Sequence, residues 1–184
     1  MLKKKSFVTV LILLSIVLTL LGSGPVFAQQ AVEWTKVDSA AGRFSVSMPS
    51  KPELGERDVD SAVGKLKLYT FGASNDVGQF LLSYADYPTE AANAAQQESV
   101  LDGVRGGVLK GLQAELISET KVTTKGYLGR ELRATKMTEG TEIVFTWRIF
   151  LVGRRLYQMA VATAKAEAES PDIQKFFMSF QLAP

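Results

Sequence analysis

Seven side chains in the C-terminal half have the types and spacing to form a site. Tyr127, Glu131 and Arg133 lie an even number of residues apart, so an extended strand presents them on one face. If Glu139-Gly140 is a two-residue turn, the register sets Glu131 against Arg148 and Arg133 against Thr146. Phe150 shares that face, and Tyr157 and Met159 join it from the next strand. Such a face offers a carboxylate–guanidinium pair beside aromatic rings, which suits a polar ligand or a protein partner. The plain alternative is a cross-strand ion pair under a covering helix, worth less than about 1 kcal/mol. Arg154 and Arg155 stand at a second turn, with Arg130 and Lys125 expected nearby. They form either an anion or protein-docking patch or a solvated tip that discourages aggregation. Asp58, Asp60 and Ser61 before Gly64 offer oxygen ligands for Ca²⁺. The segment lacks the length and closing Glu of an EF-hand loop, so a charged loop fits it better.

Composition removes most other chemistry. The chain has no His and no Cys. That excludes imidazole acid–base catalysis, Ser-His and Cys-His nucleophiles, His- or Cys-ligated metals and a disulfide-linked partner. No nucleophile elbow, P-loop or dinucleotide-binding glycine pattern is present. An enzyme would need carboxylates alone or a Lys/Ser arrangement, and the spacing locates neither. No enzyme activity and no cofactor is expected.

The elements that must position these residues centre on 141–163, TEIVFTWRIFLVGRRLYQMAVAT. Gly153-Arg154 splits this run as a type II′ hairpin turn. Ile143, Phe145, Trp147, Ile149 and Leu151 share one face, and the other is also mostly apolar, which marks a central strand. Upstream, Phe44, Val46 and Met48 alternate in a strand closed by Pro49 and Pro52. Residues 34–37 suggest a short edge strand. Residues 65–71 and 78–87 alternate, whereas 53–64 is charged and reads as a loop, with some strand character at 57–59.

Residues 89–112 change to helical period, with Leu101, Val104, Val108 and Leu112 on one face and Thr89 as the expected N-cap. Gly103, Gly107 and Gly111 recur every four residues, with Gly106 beside them. Close packing of a smooth flank is the preferred explanation, and a partner-docking groove is the alternative. Strands are expected at 114–124 and 127–137. A last helix starts at Ser170-Pro171-Asp172, with Ser170 as N-cap, Pro171 at its first position, and Ile173, Phe176, Phe177 and Phe180 as its buried stripe. Hairpin-linked strands with a few helices indicate an α+β fold, a mainly antiparallel sheet sandwiched by helices.

The N-terminus has the three parts of an export signal. Lys3 to Lys5 precede the apolar run 7–21, and Val26-Phe27-Ala28 fits a cleavage site. Residues 1–28 are therefore expected to be a signal peptide, 29–33 a short polar leader, and 34–184 one domain. An uncleaved membrane anchor is the alternative. The whole chain carries 21 basic and 19 acidic residues. Without residues 1–28, which hold three lysines and no acid, 18 basic face 19 acidic. The sequence pI near 8.8 thus owes much to the signal, and nucleic-acid binding by bulk charge is not supported. The expected location is periplasmic, lumen-type or extracellular.

Taken in order, Trp34, Gly42-Arg43-Phe44-Ser45-Val46, Met48-Pro49, Tyr127-Leu128-Gly129-Arg130-Glu131, Leu151 to Tyr157 and Phe177-Met178-Ser179-Phe180 carry a family likeness. Over residues 34–182 the chain resembles the PsbP-like superfamily, which also includes the Ran-GTPase-binding nuclear transport factor. The resemblance implies a non-enzymatic domain that binds other proteins, with an antiparallel sheet between helices. It implies a photosystem-associated role if the source is photosynthetic. Family metal sites that use His have no counterpart here. Together these readings point to an exported protein-binding or assembly factor near a membrane face, possessing a protein partner or membrane complex. A periplasmic small-molecule or lipid binding protein is the alternative.

Overall fold

Two-residue turns set the register of the main sheet. At Gly153-Arg154 only the glycine has positive φ, 59°, which is the type II′ pattern. Lys125-Gly126 (46° and 83°) and Glu139-Gly140 (50° and 84°) both have positive φ at each position, the type I′ pattern that matches strand twist. The computed structural model describes residues 33–61, 63–89 and 93–183. The signal-peptide reading of 1–28, most of the leader, and Glu90 lie outside the described residues.

The strands are β1 (Thr35–Ser39), β2 (Phe44–Met48), β3 (Glu53–Ser61), β4 (Gly64–Asn75), β5 (Gly78–Asp86), β6 (Glu115–Thr124), β7 (Tyr127–Thr138), β8 (Thr141–Val152), β9 (Arg155–Ala164) and β10 (Gln181–Leu182). The helices are α1 (Ala94–Leu112) and α2 (Pro171–Ser179). Seven strands form one antiparallel sheet in the order β3-β4-β5-β9-β8-β7-β6. The β8–β9 hairpin is thus at its middle, as its two apolar faces require. A second antiparallel sheet, β1-β2-β10, accompanies α2. The architecture is α+β, and the small sheet is an addition to the expected layers.

One face of the large sheet carries the main core. Phe44, Val46 and Met48 of β2 pack with Phe80, Tyr157 and Phe176, all nearly inaccessible. Edge-to-face ring pairs such as Phe80–Phe176, 5.4 Å between centroids, add to that burial. The opposite face is held by α1, whose Leu101 sits with Leu132, Ile149, Leu151 and Leu156.

Three expectations change. Residues 53–61 are a strand, not a loop. As the exposed edge they carry charge on both faces and so lack alternation, while Asp58 and Asp60 face Lys67 and Lys65 across the β3–β4 ladder. No group of three His, Cys, Asp or Glu able to hold a metal ion occurs among the described residues. Helix α1 begins at Ala94, capped by Asn93, whose Oδ1 accepts from Gln96 N at 3.0 Å; Thr89 is not the cap. The α1 glycines do not pack. A Cβ built at Gly103, Gly106, Gly107 or Gly111 meets nothing within 4 Å.

Candidate functional site

The type I′ turn at Glu139-Gly140 delivers the register expected of it. Glu131 faces Arg148 and Arg133 faces Thr146. Arg148 Nε donates to Glu131 Oε2, and its guanidinium lies 4.8 Å over the Phe177 ring of α2. Arg133 pairs with Glu169, which precedes α2. Glu131, Arg133, Thr146 and Glu169, but not Arg148, border a cleft of about 70 Å³ between the sheet and the start of α2, well below the roughly 300 Å³ of a ligand pocket.

The aromatic half of the expected face is core. Tyr157 is 2% exposed; its hydroxyl donates to Gly42 O at 2.7 Å, and burial raises its pKa above the usual phenol value. Phe150 stacks on Phe180. It also crosses Gly129, where a Cβ would sit 2.4 Å from its ring. The face is therefore closed at Phe150 and Tyr157 by α2 and the small sheet. Tyr127, 42% exposed, stands apart beside the Lys125-Gly126 turn.

At the β8–β9 tip the two arginines diverge. Arg154 is exposed. Arg155 turns inward and grips Asp86 with two bonds, Nε to Oδ1 and Nη2 to Oδ2, both 2.7 Å. Its third arm, Nη1, donates to Ala41 O at 2.7 Å, and its guanidinium lies 4.8 Å over the Tyr84 ring. The hydrogen bond from Arg155 holds the Asp86 carboxyl below its usual range despite partial burial, and the charges of Arg154 and Arg43 add to the effect. Arg155 thus positions the tip, and the exposed Arg43 and Arg154 flank it.

The Asp86 shift has a testable sign. A carboxyl with a folded pKa below its unfolded value of about 3.9 stabilises above that value, and the contribution is lost as pH falls through the folded pKa. Asp86→Asn is expected to melt below wild type at pH 7. The gap should narrow as pH falls from about 3.9 and close once it passes below the depressed folded pKa; melting curves across that range measure it.

Arg130 is not near the tip. It lies on the same strand face as Leu128 and Leu132, beneath α1, with its side chain 8% exposed. It donates to Asp102 and Glu119 through Nη1 and to Glu98 through Nη2. Lys125 instead donates to Leu182 O at 2.6 Å. The motif that could have revealed the Arg130 cluster is an arginine in the apolar register of a strand, with Glu98 and Asp102 one turn apart on a helix.

No family model matches this chain, and no curated protein matches it. Solved structures do. The solution structure of cyanobacterial PsbP from Synechocystis sp. PCC 6803 matches with a TM-score of 0.54 at 13% identity, over 89% of this chain and 98% of that one. A Bacteroides thetaiotaomicron protein matches at 0.48 and 15% over 81% of this chain, which spans about half (48%) of the length of that protein. A Pseudomonas aeruginosa protein of unknown function matches at 0.42 and 12%, over 82% of this chain and 96% of that one. The fold is PsbP-like.

Proposed function

We propose that this chain is an exported, non-enzymatic module that binds a protein partner, an assembly factor working near a membrane face. The observation that carries the reading is the β8–β9 tip. There Arg155 is locked by Asp86, Ala41 and Tyr84, which braces a turn that displays Arg154 beside Arg43. A rigid, exposed basic tip suits an acidic protein surface, since little side-chain ordering remains to oppose docking. The PsbP-like fold is compatible with that use, since the family resemblance implies a domain that binds other proteins.

The carrier reading relied on an open polar–aromatic face, which Phe150, Tyr157 and α2 fill. One feature still favours it, a shallow groove of about 400 Å³ at the other end of the sheet, lined by Gln113, Lys136, Met137 and Glu142 among others. A ligand there would raise the melting temperature with no partner present.

The deciding experiment is a cross-linking pull-down from native envelope fractions with the C-terminally tagged full chain. A specific partner is expected, lost on Arg43→Glu plus Arg154→Glu and weakened by salt. A partner retained by that double variant, or none above background, would sink the tip assignment.

A further inference from the structure

We propose that the outer edge of β6 pairs with the same edge of a second copy of this chain, in one antiparallel register centred on Thr120. The large sheet ends in β3 on one side and β6 on the other, and among the described residues each pairs with a single neighbour. Unpaired backbone groups on such edges template further pairing unless charge, bulges or covering elements prevent it.

The two edges differ in what they do to a copy of themselves. Antiparallel self-pairing about a twofold axis brings together residues equidistant from the axis. On β3 an axis at Arg57 sets that arginine against itself and Glu56 against Asp58. At Glu56 or Asp58 it sets that acid against itself. Like charges directly opposite destabilise a ladder, so β3 repels its own copy in the registers centred on Glu56, Arg57 and Asp58.

On β6 an axis at Glu119 or Lys121 also opposes like charges. An axis at Thr120 does not. It sets Glu119 against Lys121 twice, sets Ser118 against Val122, and leaves the uncharged Thr120 pair at the centre. Both charged groups keep capacity for a second contact. Glu119 accepts from Arg105 through Oε2 and from Arg130 through Oε1, and a carboxylate has further lone pairs. Lys121 reaches Glu98, but its side chain is 75% exposed with two more donors.

The ends of this segment add apolar surface. The bulge between Leu116 and Ser118 ends the regular ladder and leaves Leu116 41% and Ile117 54% exposed. The twofold places one such pair at each end of the joint. An interface this short falls below the roughly 1,200 Å² of a standard complex, so the dimer forms in a concentration-dependent way.

The absence of cysteine makes the test clean. Thr120→Cys in the full chain introduces one thiol. Directly opposed strand residues have Cβ atoms about 5 Å apart, a short movement from disulfide geometry. Under mild oxidation this variant is expected to form a linked dimer, whereas Asp58→Cys on the opposite edge does not. Thr120→Lys puts two ammonium groups on the axis, so at a high concentration where wild type sediments as a dimer this variant is expected to sediment as a monomer, with an unchanged circular dichroism spectrum. The proposal is overturned if Thr120→Cys links no faster than Asp58→Cys. A wild type that sediments as a monomer throughout, or a Thr120→Lys chain that still dimerises, overturns it equally.

Discussion

Replacing Arg130 by methionine is expected to destabilise the domain by about 3 kcal/mol in urea unfolding, the lower end of what breaking a buried ion pair costs. The guanidinium is the hub between α1 and the sheet. It bonds Asp102 at 2.6 Å and Glu119 at 2.5 Å through Nη1, and Glu98 at 2.6 Å through Nη2. Burial alone would lower its pKa, but those three bonds raise it, so it stays charged. Methionine fills comparable space and leaves three acids converging, with Arg105 and Lys121 as their remaining ion-pair partners among the described residues. The lower end of the range applies because Asp102 is 54% and Glu98 32% exposed, so water recovers part of the loss. Arg130→Lys should fall between, since a single ammonium cannot reproduce a planar fork that reaches three carboxylates. The damage should localise to α1, seen as faster amide exchange there, because Leu101 is its one fully buried side chain. Acid should mimic the lesion. Bonds from Lys121 and Arg130 hold the Glu98 carboxyl below its usual range. Burial opposes the same effect at Glu119, where Arg105 and Arg130 prevail. Depressed carboxylates stabilise above about pH 4 and lose that contribution as pH falls. The gap between wild type and Arg130→Met should therefore narrow in acid. Equal urea midpoints at pH 7 would show that the cluster contributes nothing net.

The legible parts of this fold were those fixed by local rules. Gly126, Gly140 and Gly153 announced two-residue turns, and turn geometry dictated the register that pairs Glu131 with Arg148. Period alone identified the central hairpin and the Phe stripe of α2. What stayed hidden depended on partners far along the chain. Whether Tyr157 is a surface or a core residue turns on Gly42, 115 positions away. Asp86 had no visible partner until the β5–β9 register set Arg155 opposite it. The edge strand β3 was hidden for a different reason: a strand exposed on both faces has no burial pattern to display. Arg130 is the instructive case, because strand parity already put it with Leu128 and Leu132. Only the tertiary placement of α1, which brings Glu98 and Asp102, beside Glu119 of β6, supplies the three carboxylates that make such a position tolerable.

The triple change Gly103→Ala, Gly107→Ala, Gly111→Ala is expected to stabilise the domain by roughly 2–3 kcal/mol, since each interior helix glycine costs about 1 kcal/mol relative to alanine. Part of the gain comes from the unfolded chain, which loses freedom when glycine becomes alanine. Space decides the sign, and at these positions space is open. An added Cβ meets nothing within 4 Å at any of the three, and all have ordinary helical φ. The three sites are spaced by one turn and share no packed neighbour, so their effects should add closely. Gly129→Ala is the counter-case. There the new Cβ would lie 2.4 Å from both Ile149 O and the Phe150 ring, and the backbone atom cannot move aside without breaking the β7–β8 ladder. That single methyl should destabilise, while three methyls on α1 stabilise. The close packing that would explain helical glycines is thus found at a strand glycine, and α1 is left less stable than its surroundings require. Urea unfolding of both variants measures the contrast. A triple variant no more stable than wild type would mean that the glycine flank is covered in the folded protein.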